Sequence, residues 1–308
     1  SDAPFHAALA DAPPGATCLW LMAGAARIRV AWWRGGDKGT VLLLPGRTEC
    51  IEQYGRAAGD LVARGFSVIT IDWRGQGLAD RALPDRMVGH VTRFAEYQQD
   101  MDVMLAEAQR AGLPEPYYMV AHSMGGCIGL RALMRGLPIR AAVFSAPMWG
   151  IAMAAWLRPV ASVVGALAGP LGIAHRYAPT TGGQTYLMQF PFEGNVLTTD
   201  RDMWDYMRRQ VAEVPDLALG GPSIHWLREA LTECAGLAAL PAPKVPAICA
   251  LGTAEKVVDV PPVHLRMAGW SNGQLDLYPG AEHEIMMESP ATRQRFFDRA
   301  AALFDANR

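Results

Sequence analysis

The sequence predicts an α/β fold in which a mostly parallel sheet is covered by helices on both faces and carries an inserted helical cap. Short apolar runs of strand length alternate along the chain with helical patterns. Several of these runs are apolar on both faces, as strands in buried parallel sheets are. The alternation stops once, for roughly a hundred residues between Pro147 and Pro243, which indicates an insertion at one point of the sheet.

The predicted strands and helices follow one another in a regular order. The strand-like runs are RIRVAWW (27–33), TVLLLPG (40–46), FSVITIDW (66–73), YYMVAHS (117–123), AAVFSAP (141–147), VPAICALG (245–252) and QLDLYPG (274–280). Helical patterns cover about 52–64, 93–111, 124–136, 259–268 and 290–306. Because helices that alternate with strands cover both faces of a parallel sheet, we expect a three-layer core.

The interval after the fifth of these runs has a different character. It contains few strand-like runs but has helix-like ones at 200–214 and 224–240. We therefore predict a first core part at 1–147, a helical cap at 148–242 and a second core part at 243–308. The apolar stretch 148–173 is interrupted by arginine, proline and glycine, so a continuous membrane-spanning helix is not expected.

Composition limits the classes of function. A chain of 308 residues that is 51% hydrophobic can bury a large core. Its net charge of -2 lacks the basic excess that nucleic acid requires, so no nucleic-acid partner is expected. The five cysteines are scattered without a C-x-x-C pair, which predicts neither zinc nor redox work and favours a reducing, cytoplasmic location. The N-terminal residues also lack the pattern of a secretory signal.

The most informative motif is VAHSMGG at 120–126, which follows a strand-like run and opens a helix-like one. A nucleophile on a sharp strand-to-helix turn needs small residues two positions away on either side. Ala121 and Gly125 meet this requirement around Ser123. A serine that only caps a helix is the alternative, but the flanking strand and helix favour a nucleophile.

A serine nucleophile needs a base, and the base needs an acid that orients it. In folds with this turn, the acid follows the serine along the chain and the histidine base follows the acid. His283 lies just beyond the last strand-like run, in LYPGAEHE, and is the predicted base. The acid is expected in the loop after VPAICALG, where Glu255 is favoured and Asp259 is the alternative. Either carboxylate could instead be a charge at a helix N-terminus.

An acyl-transfer intermediate also needs donors for its oxyanion, often backbone amides. The amide of Met124, directly after the serine, is one candidate. The amide of Arg47, in the loop after TVLLLPG, is the other, although PGRTE is also compatible with an ordinary strand-to-helix turn. No cluster of residues has metal-ligand spacing and no loop resembles a phosphate cradle, so neither a metal nor a cofactor is expected.

Five segments together carry a family resemblance: LLLPGRTECIEQY, ITIDWRGQG, VAHSMGG, CALGTAEKVVD and YPGAEHE. They resemble the monoacylglycerol lipase and lysophospholipase group of α/β-hydrolases, most closely bacterial enzymes of the L2 type, over about residues 27–308. The resemblance implies Ser123 as nucleophile, His283 as base, Glu255 at a position that is often aspartate, and Arg47 and Met124 as oxyanion donors. The chain departs from the family where Pro45 replaces a frequent histidine and Ala121 replaces glycine.

The cap suggests the class of substrate. Trp149, Met153 and Trp156 recur at helical spacing and are predicted to roof an apolar pocket for an acyl chain, although they could equally pack the cap onto the core. The same apolar surface could touch a bilayer interface. We therefore expect a lipid-like small-molecule substrate and peripheral membrane contact, with the oligomeric state undetermined.

These observations predict a serine esterase that cleaves a lysophospholipid or a monoacylglycerol through an acyl-enzyme. The alternatives are a short-chain carboxylesterase, a proline-directed peptidase, a transferase that uses an acceptor alcohol, and a hydrolase-fold binding protein without turnover. The same turn and triad serve many reactions, so fold alone does not select among them.

Overall fold

The computed structural model describes residues 1–153 and 157–308, and its single eight-stranded sheet confirms the predicted α/β class. The strands are β1 (Thr17–Ala23), β2 (Ala26–Trp33), β3 (Thr40–Leu44), β4 (Ser67–Asp72), β5 (Tyr117–His122), β6 (Ala142–Ser145), β7 (Ala247–Gly252) and β8 (Gly273–Tyr278). Their order across the sheet is β1-β2-β4-β3-β5-β6-β7-β8. From β4 to β8 all neighbours are parallel, whereas β2 pairs antiparallel with both β1 and β4.

Helices lie on both faces of this sheet. They are α1 (Ala7–Ala10), α2 (Gly55–Ala63), α3 (Tyr97–Arg110), α4 (Met124–Met134), α5 (Leu157–Ala168), α6 (Tyr186–Gln189), α7 (Arg201–Glu213), α8 (Ile224–Ala238), α9 (Val260–Ala268) and α10 (Pro290–Asp305). Alternate side chains of β3 enter two separate cores, Leu42 and Leu44 with α3, α4, α8 and α9, and Val41 and Leu43 with α2, α7 and α10. The strand is thus buried on both faces, as its apolar run predicts.

Strand β1 was not among the predicted strands. It forms a hairpin with β2 through a two-residue turn in which Gly24 has a φ of +64°, a backbone conformation that glycine adopts easily. At the edge of the sheet β1 is only partly buried, and its apolar run CLWLMA at 18–23 contains no β-branched residue, so the run does not indicate a strand over a helix. The predicted helix at 52–64 begins as a 3₁₀ turn at Ile51–Tyr54 before α2, and the one at 93–111 begins with another at Phe94–Glu96 before α3.

The interval between β6 and β7 contains α5, α6, α7 and α8 and, among its described residues, no strand of the sheet. Helix α8 packs on α4 through Ala230 and Cys234, which join the core on that face. The division into core and cap at 148–242 remains a prediction. In the described part of the chain, no helix is both long and apolar enough to cross a membrane.

Candidate active site

Ser123 lies at the sharp turn between β5 and α4. Its φ of 49° and ψ of -117° are unusual for a residue with a side chain, and such strain persists only where the surroundings enforce it. A Cβ on Gly125 would come within 2.4 Å of the Leu44 carbonyl oxygen and 2.5 Å of that of Pro45. Glycine is therefore required two residues after the serine. The turn holds Ser123 beyond the carboxyl end of β5, and the side chain is largely buried.

His283 and Glu255 meet through a short hydrogen bond. The imidazole Nδ1 lies 2.7 Å from Oε2 of Glu255, and both side chains are almost fully buried. The other carboxylate oxygen, Oε1, accepts from the backbone amides of Val257 and Val258 at 2.5 and 3.1 Å. This arrangement fixes Nδ1 as the donor and leaves Nε2 of His283 available as a base.

The protonation of this pair follows from its contacts. Burial opposes the charge of Glu255, but the hydrogen bond and charge of His283, with the amides of Val257 and Val258, hold its pKa below the usual value. Burial likewise opposes the charge of His283, yet Glu255 and then the more distant Glu284 raise its pKa. The pair is therefore suited to stabilise an imidazolium that forms during a reaction.

The alternative acid, Asp259, lies elsewhere in the same loop. It stands at the N-cap position of α9, and its backbone amide donates to the Gly150 carbonyl at 3.0 Å. A Cβ on Gly150 would come within 2.9 Å of the Asp259 Cβ, so these backbones are in close contact. Since Nδ1 of His283 is bonded to Glu255, the geometry favours Glu255 over Asp259.

The two predicted oxyanion donors flank Ser123. The amide of Met124 opens α4 and has no acceptor within the helix. Arg47 follows Gly46, where a Cβ would come within 3.1 Å of Ser123 Cβ. The backbone of the loop after β3 thus runs beside the serine, as two amide donors to one oxyanion would require.

Hydrogen bonds hold this loop in place. The indole Nε1 of Trp73 donates to the Pro45 carbonyl at 2.9 Å, and Nε2 of Gln76 donates to the Gly46 carbonyl at 2.7 Å. The amide of Gly46 donates to the carboxyl group of Glu49. The position of the Arg47 amide is therefore set before any substrate arrives, which is what transition-state stabilisation needs.

A second titratable cluster lies beneath the same loop, and sequence motifs did not reveal it. Nδ1 of His122 lies 3.0 Å from the Ser145 carbonyl, so it carries the proton and leaves a lone pair on Nε2. Oε2 of Glu284 faces that Nε2 at 3.2 Å. Glu49 interacts with Glu284 and accepts a hydrogen bond from the Tyr54 hydroxyl at 2.6 Å. This series of contacts is favourable when the carboxyl groups of Glu284 and Glu49 carry protons.

The pKa directions agree with a neutral cluster. Burial, followed by the neighbouring Glu284, raises the pKa of Glu49 to about 8. Burial also raises the pKa of Glu284 and lowers that of His122 to about 4. Burial thus favours the neutral form of all three side chains beside the His283 and Glu255 pair.

His122, His283 and Glu284 also form a group of three metal-capable side chains in the described part of the chain, with ligand atoms within 4.8 Å of one another. Sequence spacing did not suggest this group. Nδ1 of each imidazole is already engaged, by Ser145 and Glu255 respectively. Only Nε2 of each imidazole would remain for a cation.

Below the loop, a buried ion network joins two strands and the 3₁₀ turn at Ile51–Tyr54. Arg29 on β2 bonds Glu52 at 2.6 Å and Asp72 at 2.7 Å, and all three side chains are fully buried. Asp72 also accepts from the amides of Ile51 and Leu78, both at 2.8 Å. Asp72 is thus a structural residue of the loop that supports the site.

Ser123 and His283 open into a cavity of about 480 Å³. The apolar part of its wall comes chiefly from the interval between β6 and β7, with Leu187, Phe190, Val196, Leu197, Leu219 and Trp226. Arg47 and Glu49 also line this cavity. The size and apolar lining suit a small organic ligand with a hydrocarbon portion.

The expected roof of this cavity requires a correction. Trp149 is not a lining residue; it is buried between Phe144 and Trp270, and its indole donates to the Gly126 carbonyl at 3.2 Å. Met153 is half-buried and is also absent from the lining. Trp156 lies outside the described residues. Helical spacing identified an apolar face, but a face can pack on the core as readily as on a ligand.

Comparison with known proteins identifies the family. The model of the family described as serine aminopeptidase, S33, matches residues 35–290. The chain is 34% identical over 265 residues to lysophospholipase L2 of Escherichia coli K12, covering 82% of this chain and 76% of that protein. The chain therefore belongs to the serine aminopeptidase, S33 family. A probable lysophospholipase L2 of Haemophilus influenzae is 27% identical over 256 residues, covering 82% of this chain and 80% of the relative.

Solved structures show the same fold. A soluble variant of monoglyceride lipase from Saccharomyces cerevisiae, in complex with a substrate analog, superposes with a TM-score of 0.73 at 20% identity, covering 94% of each chain. Monoacylglycerol lipase from Paleococcus ferrophilus gives a TM-score of 0.69 at 18% identity, covering 91% of this chain and 99% of that one. The resemblance seen in the sequence is confirmed, and this family member is an enzyme of the esterase and lipase type.

Proposed function

We propose that this protein is a serine hydrolase that cleaves the carboxylic ester of a single-chain lipid, a lysophospholipid or a monoacylglycerol. The hydrogen bond of 2.7 Å between Glu255 and His283, at a cavity that also contains Ser123, is the observation that carries the proposal. An oriented imidazole beside a serine on a strained turn is the arrangement that activates a hydroxyl.

In the first half-reaction, Oγ of Ser123 attacks the ester carbonyl carbon while Nε2 of His283 takes its proton. The negative charge of the tetrahedral intermediate is stabilised by the amides of Arg47 and Met124. The bond to the alcohol then breaks, and the imidazolium gives its proton to the departing oxygen. Glu255 remains ionised and stabilises the imidazolium throughout.

In the second half-reaction, a water molecule gives a proton to His283 and attacks the acyl-enzyme. Collapse of the second intermediate releases the fatty acid and returns the proton to Ser123. The elementary steps are the same for any ester, so the choice of substrate depends on the cavity.

The cavity wall and the relatives both favour a lipid. Leu187, Val196 and Leu197 give the wall an apolar surface that an acyl chain could cover. The similar proteins of Escherichia coli and Haemophilus influenzae bear lysophospholipase names. The family description instead names an aminopeptidase, which makes peptidase activity the second candidate.

The test compares the native protein with Ser123→Ala. We expect a fluorophosphonate probe to label the native protein and not the variant, and the native protein to release fatty acid from lysophosphatidylcholine or monoacylglycerol. Aminoacyl and prolyl anilides should be hydrolysed poorly. Absence of labelling in folded native protein would remove the serine mechanism, and faster turnover of the anilides than of the lipids would favour the peptidase.

The cap is also proposed to contact a lipid surface. Val163, Leu167 and Leu171, in and just after α5, are 57%, 52% and 66% exposed, and an exposed apolar patch is typical of an interaction site. Replacing Leu167 and Leu171 by serine should weaken sedimentation with phosphatidylcholine vesicles. Leu265→Ser on α9, where the side chain is 78% exposed, is the matched control. Equal binding by both variants would contradict the proposal.

A further inference from the structure

The side chain of Arg47 has a different environment from its backbone amide. The side chain lines the catalytic cavity, and Nη1 donates to the Gly220 carbonyl at 3.0 Å. The guanidinium carbon lies 5.5 Å from the ring centroid of Trp226, which lines the same cavity. The carbonyl and the aromatic face hold the guanidinium in one place, while its remaining donors have no acceptor among the described residues.

No carboxylate of the described residues forms an ion pair with Arg47. Burial lowers the pKa of its guanidinium to about 10, which still leaves it charged at neutral pH. Arg29 shows the opposite arrangement, because it is buried between Glu52 and Asp72 and these carboxylates raise its pKa. Arg47 is half-buried, and a cation that is withdrawn from water is normally paired, so its unpaired guanidinium can receive an anion that arrives with the ligand.

The dimensions of a lysophospholipid fit this placement. The path of covalent bonds from its ester carbonyl carbon to its phosphorus is as long as the path from an arginine backbone nitrogen to its guanidinium carbon. A substrate whose carbonyl oxygen meets the Arg47 amide can therefore extend its glycerol along the Arg47 side chain. Its phosphate then reaches the guanidinium, whose planar fork matches phosphate oxygens.

We infer that the guanidinium of Arg47 binds the phosphate of a lysophospholipid whose ester is cleaved at Ser123, so that one residue contacts both the reacting carbonyl and the head group. This inference rests on the proposed function and adds the residue that selects the substrate. A monoacylglycerol has no phosphate and gains nothing from the guanidinium.

The first experiment measures selectivity in Arg47→Met, which keeps the backbone amide and the apolar stem but removes the charge. The ratio of kcat/KM for lysophosphatidylcholine to that for monoacylglycerol of the same acyl chain should fall about ten- to a hundred-fold. Arg47→Lys keeps the charge without the fork and should give an intermediate ratio.

Arg81→Met is the matched control. Burial lowers the pKa of Arg81 to about 10 as well, and its guanidinium also donates to backbone carbonyls, at Gly77 and Ala218. Unlike Arg47, it does not line the catalytic cavity. The selectivity ratio of Arg81→Met should therefore equal that of the native protein.

A second measurement needs no variant. sn-Glycerol 3-phosphate should inhibit native hydrolysis of a neutral p-nitrophenyl ester competitively and more strongly than glycerol does. Equal inhibition by the two compounds, or an unchanged selectivity ratio in an Arg47→Met protein that still reacts with fluorophosphonate, would overturn the role of Arg47 and leave the proposed function intact. Failure of the native protein to hydrolyse either lipid would instead refute the proposed function and the inference that rests on it.

Discussion

Two histidine and carboxylate assemblies lie side by side at the carboxyl end of the sheet, and the pKa values of their carboxyl groups shift in opposite directions. The rings of His283 and His122 are 4.7 Å apart between centroids. His283 is bonded to Glu255, whose pKa is lowered despite burial. His122 faces Glu284, and burial raises the pKa of that carboxyl group. The surroundings thus favour the charged carboxylate in one assembly and the neutral carboxyl group in the other.

The difference comes from the groups that meet each carboxylate. Glu255 accepts from two backbone amides as well as from His283, so its charged form is solvated by the protein. Glu284 and Glu49 are buried and interact with each other, so ionisation of one carboxyl group would make ionisation of the other less favourable. Glu255 and Glu284 both lie near a histidine, but of these two described residues only Glu255 accepts hydrogen bonds from backbone amides, which stabilise its ionised form. We infer that these hydrogen bonds distinguish a catalytic acid from a carboxyl group that supports a loop.

The largest expected effect comes from replacing a carboxyl group of one assembly, and then of the other, by an amide. Glu255→Gln should lower kcat about 10³- to 10⁴-fold, because the imidazole loses the carboxylate that orients it and stabilises its charged form. Glu284→Gln is the matched control; since glutamine resembles a protonated glutamate, we expect less than about a tenfold loss. Both are measured as kcat on a neutral ester. Equal losses would mean that the two assemblies are not functionally distinct.

The neutral cluster also predicts a pH dependence of stability. Because the pKa of Glu49 is about 8 in the folded protein against 4.5 ordinarily, the folded state retains a proton that the unfolded chain releases between these values. Its stabilising contribution is complete below about pH 4.5 and is lost as the pH rises through about 8. Over this window the native protein should lose up to about 1.4 kcal/mol of unfolding free energy per pH unit.

Glu49→Gln removes the titrating group and should flatten that decline, as measured by urea unfolding at several pH values. Glutamine can still accept from the Gly46 amide and the Tyr54 hydroxyl, so the loop is expected to keep its shape. The control is Glu193→Gln, at an exposed side chain, which should follow the native curve. A native curve that is already flat across this window would show that Glu49 is ionised.

The smallest effect concerns the hydroxyl that donates to Glu49. Tyr54→Phe removes a buried hydrogen bond of 2.6 Å and should cost about 1 kcal/mol of unfolding free energy. Tyr118→Phe is the matched control, because the buried Tyr118 hydroxyl has no hydrogen-bond partner among the described residues. That change should be neutral or slightly stabilising. A larger loss at Tyr118 than at Tyr54 would reverse the expected order.

Much of the fold and the candidate triad followed from local patterns. Inner strands such as β3 are apolar on both faces, and Ser123 stands between a strand and a helix with small residues where the turn needs them. The order of acid and base along the chain then pointed to Glu255 and His283. Edge strand β1 escaped detection because its apolar run at 18–23 contains no β-branched residue, and the cavity wall was misjudged at Trp149 because helical spacing does not reveal what a face packs against.

The sequence by itself thus determined the fold class, the strained turn at Ser123 and the residues able to act as base and acid, because these depend on periodicity and turn chemistry within short segments. Only the tertiary structure decided which carboxyl groups have raised or lowered pKa values and which arginines form ion pairs. Glu49 and Glu284, or Arg29 and Arg47, are alike in sequence; their protonation and pairing depend on burial and on neighbours from distant segments. Those neighbours exist only once the chain has folded.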